Sequence, residues 1–176
     1  MTNIILSGCS GKMGRVIARE IAKRDDCKVV AGVDVFSDGS ADFPVYDDFS
    51  KIQEKADAII DFSNPAVLAG LLNYAVSKNV PAVICTTGFS KEQIADIEKA
   101  SKKVAIFHSG NMSLGINLLI ELSKKAAEIL GSAFDIEIIE KHHNQKLDAP
   151  SGTALMIADG ISEVMENEPQ YVYDRH

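Results

Sequence analysis

The segment from Ile4 to Gly14 constrains the fold more than any other part of the sequence. It reads Ile-Ile-Leu-Ser-Gly-Cys-Ser-Gly-Lys-Met-Gly: a short apolar run, three glycines spaced G-x-x-G-x-x-G, and the start of a helical pattern. A strand, a glycine turn and a helix in this order are typical of the first unit of a dinucleotide-binding fold. The start of such a helix offers N–H groups and a positive dipole end to a pyrophosphate.

The three glycines are expected to have separate roles in this turn. Gly8 permits the tight turn, Gly11 lets the backbone approach the pyrophosphate, and Gly14 lets the helix pack closely on the strand. The predicted pyrophosphate loop consists of Gly8, Cys9, Ser10, Gly11, Lys12, Met13 and Gly14.

An acidic residue follows the second predicted strand. Asp34 stands after Val33, at the sequence distance from the glycines where a carboxylate accepts ribose hydroxyls. A carboxylate there repels a 2′-phosphate, and Val35 offers no guanidinium to bind one. We therefore expect NADH to be preferred, while nearby Lys12 leaves NADPH open as the alternative.

Apolar, β-branched runs alternate with helical patterns as far as Ser113. Short strands joined by helices predict parallel pairing through right-handed crossovers. The fold class predicted for 1–113 is α/β, a Rossmann-type doubly wound parallel sheet that forms a dinucleotide-binding domain. The predicted strands are 4–6, 28–33, 58–62, 81–85 and 104–107, the predicted helices are 12–24, 65–77 and 91–100, and 36–50 is an irregular connection.

The pattern changes after Ser113. A longer amphipathic helix is predicted over 114–130, ended by Gly131, followed by an alternating strand over 134–140 and a last helix over 151–165. We predict that 114–176 is part of an α+β domain for substrate binding, catalysis and oligomerisation.

Composition excludes several classes of protein. The 176 residues carry a formal net charge of −7, which argues against nucleic acid as a partner because phosphates attract clustered Lys and Arg. The three cysteines are too far apart for a zinc or disulfide pattern, so no metal is expected. No run approaches the ~20 apolar residues of a membrane span, and no secretory signal is visible. These features predict a soluble, cytoplasmic protein without a membrane partner.

The segment over 140–154 is the richest in chemistry. His142, His143 and Lys146 follow a predicted strand, where loops present functional groups. Histidine transfers protons near neutral pH, and lysine stabilises an anion or donates a proton. The run Pro-Ser-Gly-Thr over 150–153 resembles a helix start that binds a carboxylate through main-chain N–H groups. A small acidic substrate is favoured; the alternative is a solvated loop before a capped helix.

The same segment is similar to a family signature. It reads Glu-Lys-His-His-Asn-Gln-Lys-Leu-Asp-Ala-Pro-Ser-Gly-Thr-Ala and resembles the E-x-H-H-x-x-K-x-D-A-P-S-G-T-A motif of the 4-hydroxy-tetrahydrodipicolinate (dihydrodipicolinate) reductase family. The resemblance extends through 8–14, Asp-Phe-Ser at 61–63, Thr-Thr-Gly-Phe at 86–89 and Asn-Met-Ser-Leu-Gly at 111–115, and so covers essentially the whole chain.

The resemblance implies a reaction and a set of site residues. The family reduces an anionic cyclic imine dicarboxylate in the diaminopimelate route to lysine, passing a hydride from NAD(P)H to C4 as the 4-hydroxyl leaves as water. His142 matches the proton donor and acceptor, and Lys146 matches a second proton donor. His143 matches a substrate contact, and Gly152 with Thr153 matches the substrate carboxylate site. Ser151, at the same helix start, is also predicted to bind substrate.

The resemblance also implies two loops that line the nicotinamide. Each follows a predicted parallel strand, at the carboxyl end where open sheets bind ligands. Cys85 stands where the family usually has glycine, and Met112 where it commonly has an aromatic residue, so we expect altered nicotinamide packing. The two loops are Cys85, Thr86 and Thr87, and Ser109, Gly110, Asn111 and Met112.

Members of the family extend beyond the equivalent of His176. They add the rest of the substrate-domain sheet, which builds a homotetramer, so we expect the second domain to be incomplete here. The alternative function is a dinucleotide-binding module with little or no turnover. A different oxidoreductase on the same nucleotide unit is disfavoured when it needs a cysteine nucleophile, because all three cysteines precede Ser113.

Overall fold

The chain divides into two compact units. The computed structural model describes residues 1–144, 146 and 149–173. The first unit is Met1–Ser109 and the second is Gly110–His176, whereas the sequence pattern put the boundary after Ser113.

The first unit contains a six-stranded, fully parallel sheet in the order β3-β2-β1-β4-β5-β6. The order reverses between β1 and β4, and ligands bind such sheets at the carboxyl ends of the strands beside this reversal. The predicted α/β doubly wound sheet is confirmed. The strands are β1 (Thr2–Ser7), β2 (Cys27–Val33), β3 (Val45–Tyr46), β4 (Ala58–Asp61), β5 (Ala82–Ile84) and β6 (Ile106–His108).

Three α-helices connect these strands: α1 (Lys12–Ile21), α2 (Leu68–Lys78) and α3 (Lys91–Ser101). The predicted helix from residue 65 begins as a 3-10 turn, Pro65–Val67, before α2. A capping box starts α3, in which Ser90 accepts from the backbone N–H of Gln93 and the Gln93 side chain accepts from the N–H of Ser90. This arrangement supplies partners to N–H groups that the first turn leaves open.

The region predicted as an irregular connection, 36–50, contains two short regular elements. β3 pairs with the end of β2, with Val45 opposite Gly32 and Tyr46 opposite Val33. A 3-10 turn, Phe49–Lys51, follows. Two residues are too few to show the alternation that marks a strand in a sequence.

One face of the sheet forms the main core. Ile5, Ile59 and Ile84 are fully buried and cluster with Leu71 and Ala75 of α2. Because side chains alternate across a strand, Ser7 and Asp61 lie on this same face at the carboxyl ends of β1 and β4. The apolar packing therefore fixes the strand ends that carry the loops described below.

In the described residues of the second unit, two α-helices pack together: α4 (Leu114–Leu130) and α5 (Gly152–Ser162). They approach closely at Gly160, where an added Cβ would lie 2.7 Å from Cγ2 of Ile120. Lys124 of α4 forms an ion pair of 2.7 Å with Glu163, just after α5. The observed bounds of α4 are those predicted from the pattern.

The predicted strand over 134–140 is wrong. This segment is not part of any sheet, and the side chains of Phe134, Ile136 and Ile138 are 60%, 45% and 40% exposed. The described residues of the second unit include no strand with which it could pair. A lone strand leaves its backbone groups unpaired, so the alternating pattern alone does not produce one.

None of the helices in the described part of the chain combines the length and apolarity needed to cross a lipid bilayer.

Candidate active site

The turn after β1 has a backbone that accepts only glycine at two positions. Gly8 has φ +75°, and an added Cβ there would overlap the carbonyl oxygen of Phe62. An added Cβ on Gly14 would overlap the carbonyl oxygen of Gly8, so α1 starts directly against the turn. Gly11 donates its N–H to the carbonyl of Gly8 at 3.1 Å, which closes the loop.

A cavity of about 420 Å³ lies beside this turn. Gly8 and Gly11 form part of one wall, and Phe62 and Ser63, from the connection after β4, form another. The cavity lies at the carboxyl ends of β1 and β4, where the strand order reverses. Its size is within the range of small-molecule sites.

Asp34 borders the cavity and connects the glycine turn to the chain after β2. One carboxylate oxygen accepts the N–H of Ser10 at 3.0 Å, and the other accepts the N–H of Phe36 at 3.2 Å. The hydroxyl of Ser10 in turn donates to the carbonyl of Phe36 at 2.6 Å. Two backbone N–H groups thus hold the carboxylate of Asp34, the residue that the sequence predicts to bind ribose.

The sequence analysis missed an arginine beside this loop. Arg15, in the first turn of α1, donates from Nε to the carbonyl of Ser10 at 2.9 Å and pairs with the carboxylate of Asp38 at 2.8 Å. Hydrogen bonds from Ser40 and from Arg15 hold the pKa of Asp38 well below its usual range. The position of Arg15, directly after the glycine motif, could have indicated that it lies near this loop, but the sequence does not show that its partner is Asp38.

Two more carboxylates line the cavity, from the connection between β3 and the following 3-10 turn. Asp47 pairs with Lys51 at 2.8 Å, and Asp48 caps the turn by accepting the N–H of Ser50 at 2.7 Å. These contacts lower the pKa of both carboxyl groups, so both are ionised at neutral pH. No lysine or arginine is among the described residues that line this cavity.

The loops after β4 and β5 are joined by a short chain of hydrogen bonds. The buried Thr86 hydroxyl accepts the N–H of Ser63 at 2.9 Å, and the hydroxyl of Ser63 donates to the buried carboxylate of Asp61 at 2.5 Å. Burial, together with the Asp61 carboxylate, raises the pKa of the Cys85 thiol to about 11. Thr87, the next residue, is exposed.

The second predicted nicotinamide loop spans the end of the first unit and the start of the second. In the first unit, Ser109 donates its N–H to the carbonyl of Ile84 at 3.1 Å. In the second unit, the side-chain amide of Asn111 donates to the hydroxyl of Thr153 at 2.9 Å, and its oxygen accepts the N–H of Ser113 at 2.8 Å. Gly110 and Met112 flank Asn111, and the Met112 side chain is half exposed.

The α5 helix starts as the sequence predicts, with Ser151 as its N-cap. The Ser151 hydroxyl accepts the N–H of Ala154 at 3.1 Å, and the N–H of Ser151 donates to the carboxylate of Glu140 at 2.8 Å. Gly152 and Thr153 form the first turn, whose N–H groups have no carbonyl partner within the helix. This end of α5 can therefore accept an anion.

Glu140 also faces one of the predicted catalytic residues. Its second carboxylate oxygen lies 3.6 Å from Nδ1 of His142, whose side chain is 40% exposed. His143 and Lys146 form a turn in which the N–H of Lys146 donates to the carbonyl of His143 at 3.3 Å. The remaining signature positions Gln145, Leu147 and Asp148 lie outside the described residues.

Across the residues that the structure describes, no cluster of three or more His, Cys, Asp or Glu side chains is arranged to hold a metal ion.

Two family models match the chain, one after the other. The first is described as dihydrodipicolinate reductase, N-terminus, and matches residues 2–112; the second is dihydrodipicolinate reductase, C-terminus, and matches residues 115–174. Together they account for nearly all of the sequence. The chain belongs to the dihydrodipicolinate reductase family.

Individual relatives agree with this assignment. The chain is 51% identical over 176 residues to the 4-hydroxy-tetrahydrodipicolinate reductase of Caldanaerobacter subterraneus, covering 100% of this chain and 69% of that protein. It is 47% identical over 168 residues to the same-named protein of Clostridium novyi, covering 96% of this chain and 67% of that one. The relatives in the dihydrodipicolinate reductase family are thus longer than the chain described here.

A solved dihydrodipicolinate reductase has a similar fold. The dipicolinate-bound enzyme from Paenisporosarcina sp. TG-14 superposes with a TM-score of 0.73 at 29% identity, over 100% of this chain and 71% of that one. The family expected from the 140–154 signature is therefore confirmed.

Proposed function

We propose that this chain reduces 4-hydroxy-tetrahydrodipicolinate to tetrahydrodipicolinate with a nicotinamide dinucleotide, in the diaminopimelate route to lysine. The observation that carries the proposal is the start of α5, where Ser151 caps the helix, first-turn N–H groups remain for an anion, and Thr153 is bonded to Asn111. The relative bound to dipicolinate, a cyclic dicarboxylate, supports a substrate of this class.

The glycine turn fits a dinucleotide. A side chain at Gly8 would collide with the backbone of Phe62, and glycine therefore allows the close approach of these two segments. The adjoining cavity of about 420 Å³ has room for a pyrophosphate and a ribose. We assign this contact to the loop of Gly8, Cys9, Ser10, Gly11, Lys12, Met13 and Gly14. When bound, the nicotinamide supplies the hydride that reduces C4 of the substrate.

We assign NADH as the preferred form of the cofactor. Asp34, Asp47 and Asp48 put three carboxylates on the cavity wall, and like charges repel a 2′-phosphate. Arg15, which donates to the carbonyl of Ser10 in the glycine loop, is already paired with Asp38. A 2′-phosphate would have to compete for that cation and approach the acidic wall.

The nicotinamide end is assigned to the two loops that follow β5 and β6. Thr86 is tied to the β4 loop through Ser63, which fixes the backbone on either side of it. The residues proposed to line the nicotinamide are Cys85, Thr86, Thr87, Ser109, Gly110, Asn111 and Met112.

The substrate carboxylate is assigned to the first turn of α5. Gly152 and Thr153 donate main-chain N–H groups, Ser151 holds the turn in place, and the positive end of the helix dipole adds to the attraction. His143 is assigned as a further contact to the substrate, and the Lys146 cation balances its negative charge.

Loss of the 4-hydroxyl as water requires a proton donor. His142 is assigned this role, with Lys146 as the second donor, because imidazole and ammonium groups transfer protons near neutral pH when suitably placed. For each turnover one hydride and one proton are consumed, C4 is reduced, and one water molecule leaves.

The assembly and location of the protein are proposed from the family resemblance. We infer a homotetramer acting in the cytoplasm. The three unpaired thiols support a reducing compartment, because a chain in an oxidising one commonly pairs its cysteines.

The test is substrate-dependent oxidation of NADH by the purified chain and by His142→Gln. We expect turnover to fall by about 10²–10⁴-fold in the variant, while NADH affinity measured by fluorescence titration stays unchanged. Lys141→Ala, at an exposed position in the same segment, is the matched control and should keep its turnover. Equal turnover in His142→Gln would remove His142 from the mechanism.

A further inference from the structure

The carboxylate of Glu140 lies between two parts of the proposed substrate site. One oxygen accepts the backbone N–H of Ser151 at 2.8 Å, and the other lies 3.6 Å from Nδ1 of His142. Both contacts belong to the second unit and join the segment before the histidines to the N-cap of α5. One side chain therefore touches both the proposed proton donor and the proposed carboxylate site.

We propose that Glu140 is a positioning residue that orients the His142 ring through Nδ1 and couples this orientation to the start of α5. The proposal rests on the function proposed above, in which His142 is the proton donor and α5 holds the substrate carboxylate. Nothing in the sequence pattern alone assigned a role to this glutamate.

The chemistry of imidazole gives this contact a specific consequence. A carboxylate facing Nδ1 accepts a proton held there, so the ring presents Nε2 as the group that exchanges protons with substrate. The separation of 3.6 Å is an ion-pair distance for a charged imidazole, and catalytic hydrogen bonds commonly shorten when substrate binds.

Glu140 is suited to this role because it stays ionised. Its contact with Ser151 lowers the pKa of the carboxyl group, and the positive charges of His142 and Lys146 lower it further. The same hydrogen bond orients the N-cap residue Ser151, which is buried.

Two substitutions of Glu140 separate the effect of its negative charge from the effect of its hydrogen bond to Ser151. Glu140→Gln keeps an oxygen that can accept the Ser151 N–H but removes the charge beside His142. Glu140→Ala removes both contacts. Glu166→Gln, at an exposed position after α5, is the matched control for loss of one carboxylate and should behave as the parent chain.

The kinetic readout is the comparison of kcat and KM in steady-state NADH oxidation. For Glu140→Gln we expect kcat to fall by about 10–10²-fold, the size of effect known for carboxylates that orient metal-bound histidines, with KM for NADH unchanged. Glu140→Ala should also raise KM for the substrate. The thermal midpoint of Glu140→Gln should match that of the parent chain.

A spectroscopic readout does not depend on turnover. Nitrogen-15 NMR of the histidine rings in the full chain should show His142 with its proton on Nδ1 when neutral, and Glu140→Ala should increase the share with the proton on Nε2. An unchanged tautomer in Glu140→Ala, or an unchanged kcat in Glu140→Gln, overturns the proposal.

The outcomes also distinguish this proposal from the proposed function. If His142→Gln loses turnover but Glu140→Gln does not, only the positioning role fails. If His142→Gln keeps turnover, the proton-donor assignment itself fails. In the double variant Glu140→Gln with His142→Gln, we expect no loss beyond that of His142→Gln alone, because Glu140 acts through the histidine.

Discussion

The side-chain amide of Asn111 donates a hydrogen bond of 2.9 Å to the hydroxyl of Thr153, across 42 positions of sequence. Asn111 belongs to a loop assigned to the nicotinamide, and Thr153 to the turn assigned to the substrate carboxylate. The amide is oriented by a second bond, in which its oxygen accepts the N–H of Ser113. Within the second unit, this pair joins the loop before α4 to the first turn of α5.

Replacing Thr153 with valine should weaken substrate binding. The change keeps the branched shape of the side chain but removes the acceptor for Asn111, at a cost of about 1 kcal/mol, the typical value of one hydrogen bond. We expect a rise of about fivefold in KM for the substrate, measured by steady-state kinetics.

Thr153→Ser keeps the hydroxyl and should leave KM close to that of the parent chain. A double-mutant cycle with Asn111→Ala should give a coupling energy of about 1 kcal/mol. Strictly additive effects of the two substitutions would mean that this hydrogen bond does not support binding.

Replacing Asp34 with alanine should change cofactor selection. The carboxylate holds the N–H groups of Ser10 and Phe36 and stands at the predicted ribose position. Its loss should weaken NADH binding far more than NADPH binding, because NADPH carries a phosphate in place of the 2′-hydroxyl that donates to this carboxylate, and removal of the carboxylate relieves a repulsion. Fluorescence titration with each dinucleotide measures both affinities.

A second substitution tests the preference for NADH by seeking a gain in NADPH affinity. Asp38→Asn removes the negative partner of Arg15 and should improve NADPH affinity without a matching gain for NADH. Asp57→Asn, remote in sequence and bonded to the N–H of Asn3, is the control. Equal effects on the two dinucleotides in both test variants would contradict the assignment of NADH preference to these carboxylates.

Alanine at Gly14 should destabilise the first unit. Glycine to alanine inside a helix commonly stabilises it by up to about 1 kcal/mol, but the added Cβ here would overlap the backbone of Gly8 and Cys9. We expect a loss of about 1–3 kcal/mol, typical of overpacking, in the free energy of urea unfolding.

Gly70→Ala provides the matched comparison inside α2. An added Cβ there meets only the Phe49 ring, at 3.8 Å, which is an ordinary contact. It should be neutral or stabilising by up to about 1 kcal/mol. Equal stability of the two alanine variants would show that the close approach of α1 to the turn is not needed.

Cys85 should react slowly with alkylating reagents in the folded chain. Its pKa is raised from 9.0 to about 11 by burial and by the Asp61 carboxylate, so little thiolate is present at pH 8. Cys27 is only partly buried and serves as the internal comparison in a mass-spectrometric alkylation time course. In urea the two thiols should react at similar rates.

The same raised pKa has a consequence for stability. The folded state holds the Cys85 proton more tightly than the unfolded state, so the contribution of this group is complete below pH 9 and is lost as the pH rises through about 11. Cys85→Ser should flatten this part of the stability profile. Equal alkylation of Cys85 and Cys27 in the folded chain would contradict the effect of burial.

The glycine turn and the helices could be predicted from the sequence because residues close together in the chain determine them. The glycine turn depends on backbone conformations that Gly8 and Gly14 alone allow, and α4 depends on an apolar period bounded by Ser113 and Gly131. The family signature over 140–154 is likewise a property of consecutive residues. These features needed no knowledge of distant contacts.

The strand predictions were wrong where strand formation depends on pairing with a distant segment. The segment 134–140 alternates as a strand does, but pairing needs a second strand, and the described second unit contains none. Conversely, Val45 and Tyr46 show no strand pattern in the sequence, but they form a strand because they pair with the end of β2.

The sequence by itself determined the parallel α/β fold, the glycine turn, the acid after β2 and the residues of the predicted helix start. Only the tertiary structure decided that Arg15 pairs with Asp38, that Asn111 is bonded to Thr153, and that Glu140 contacts both His142 and Ser151. The physical reason is the separation along the chain over which each interaction acts. Backbone conformation and hydrophobic period act over a few consecutive residues, whereas a hydrogen bond or ion pair depends on how distant segments pack, and no spacing in the sequence encodes that distance.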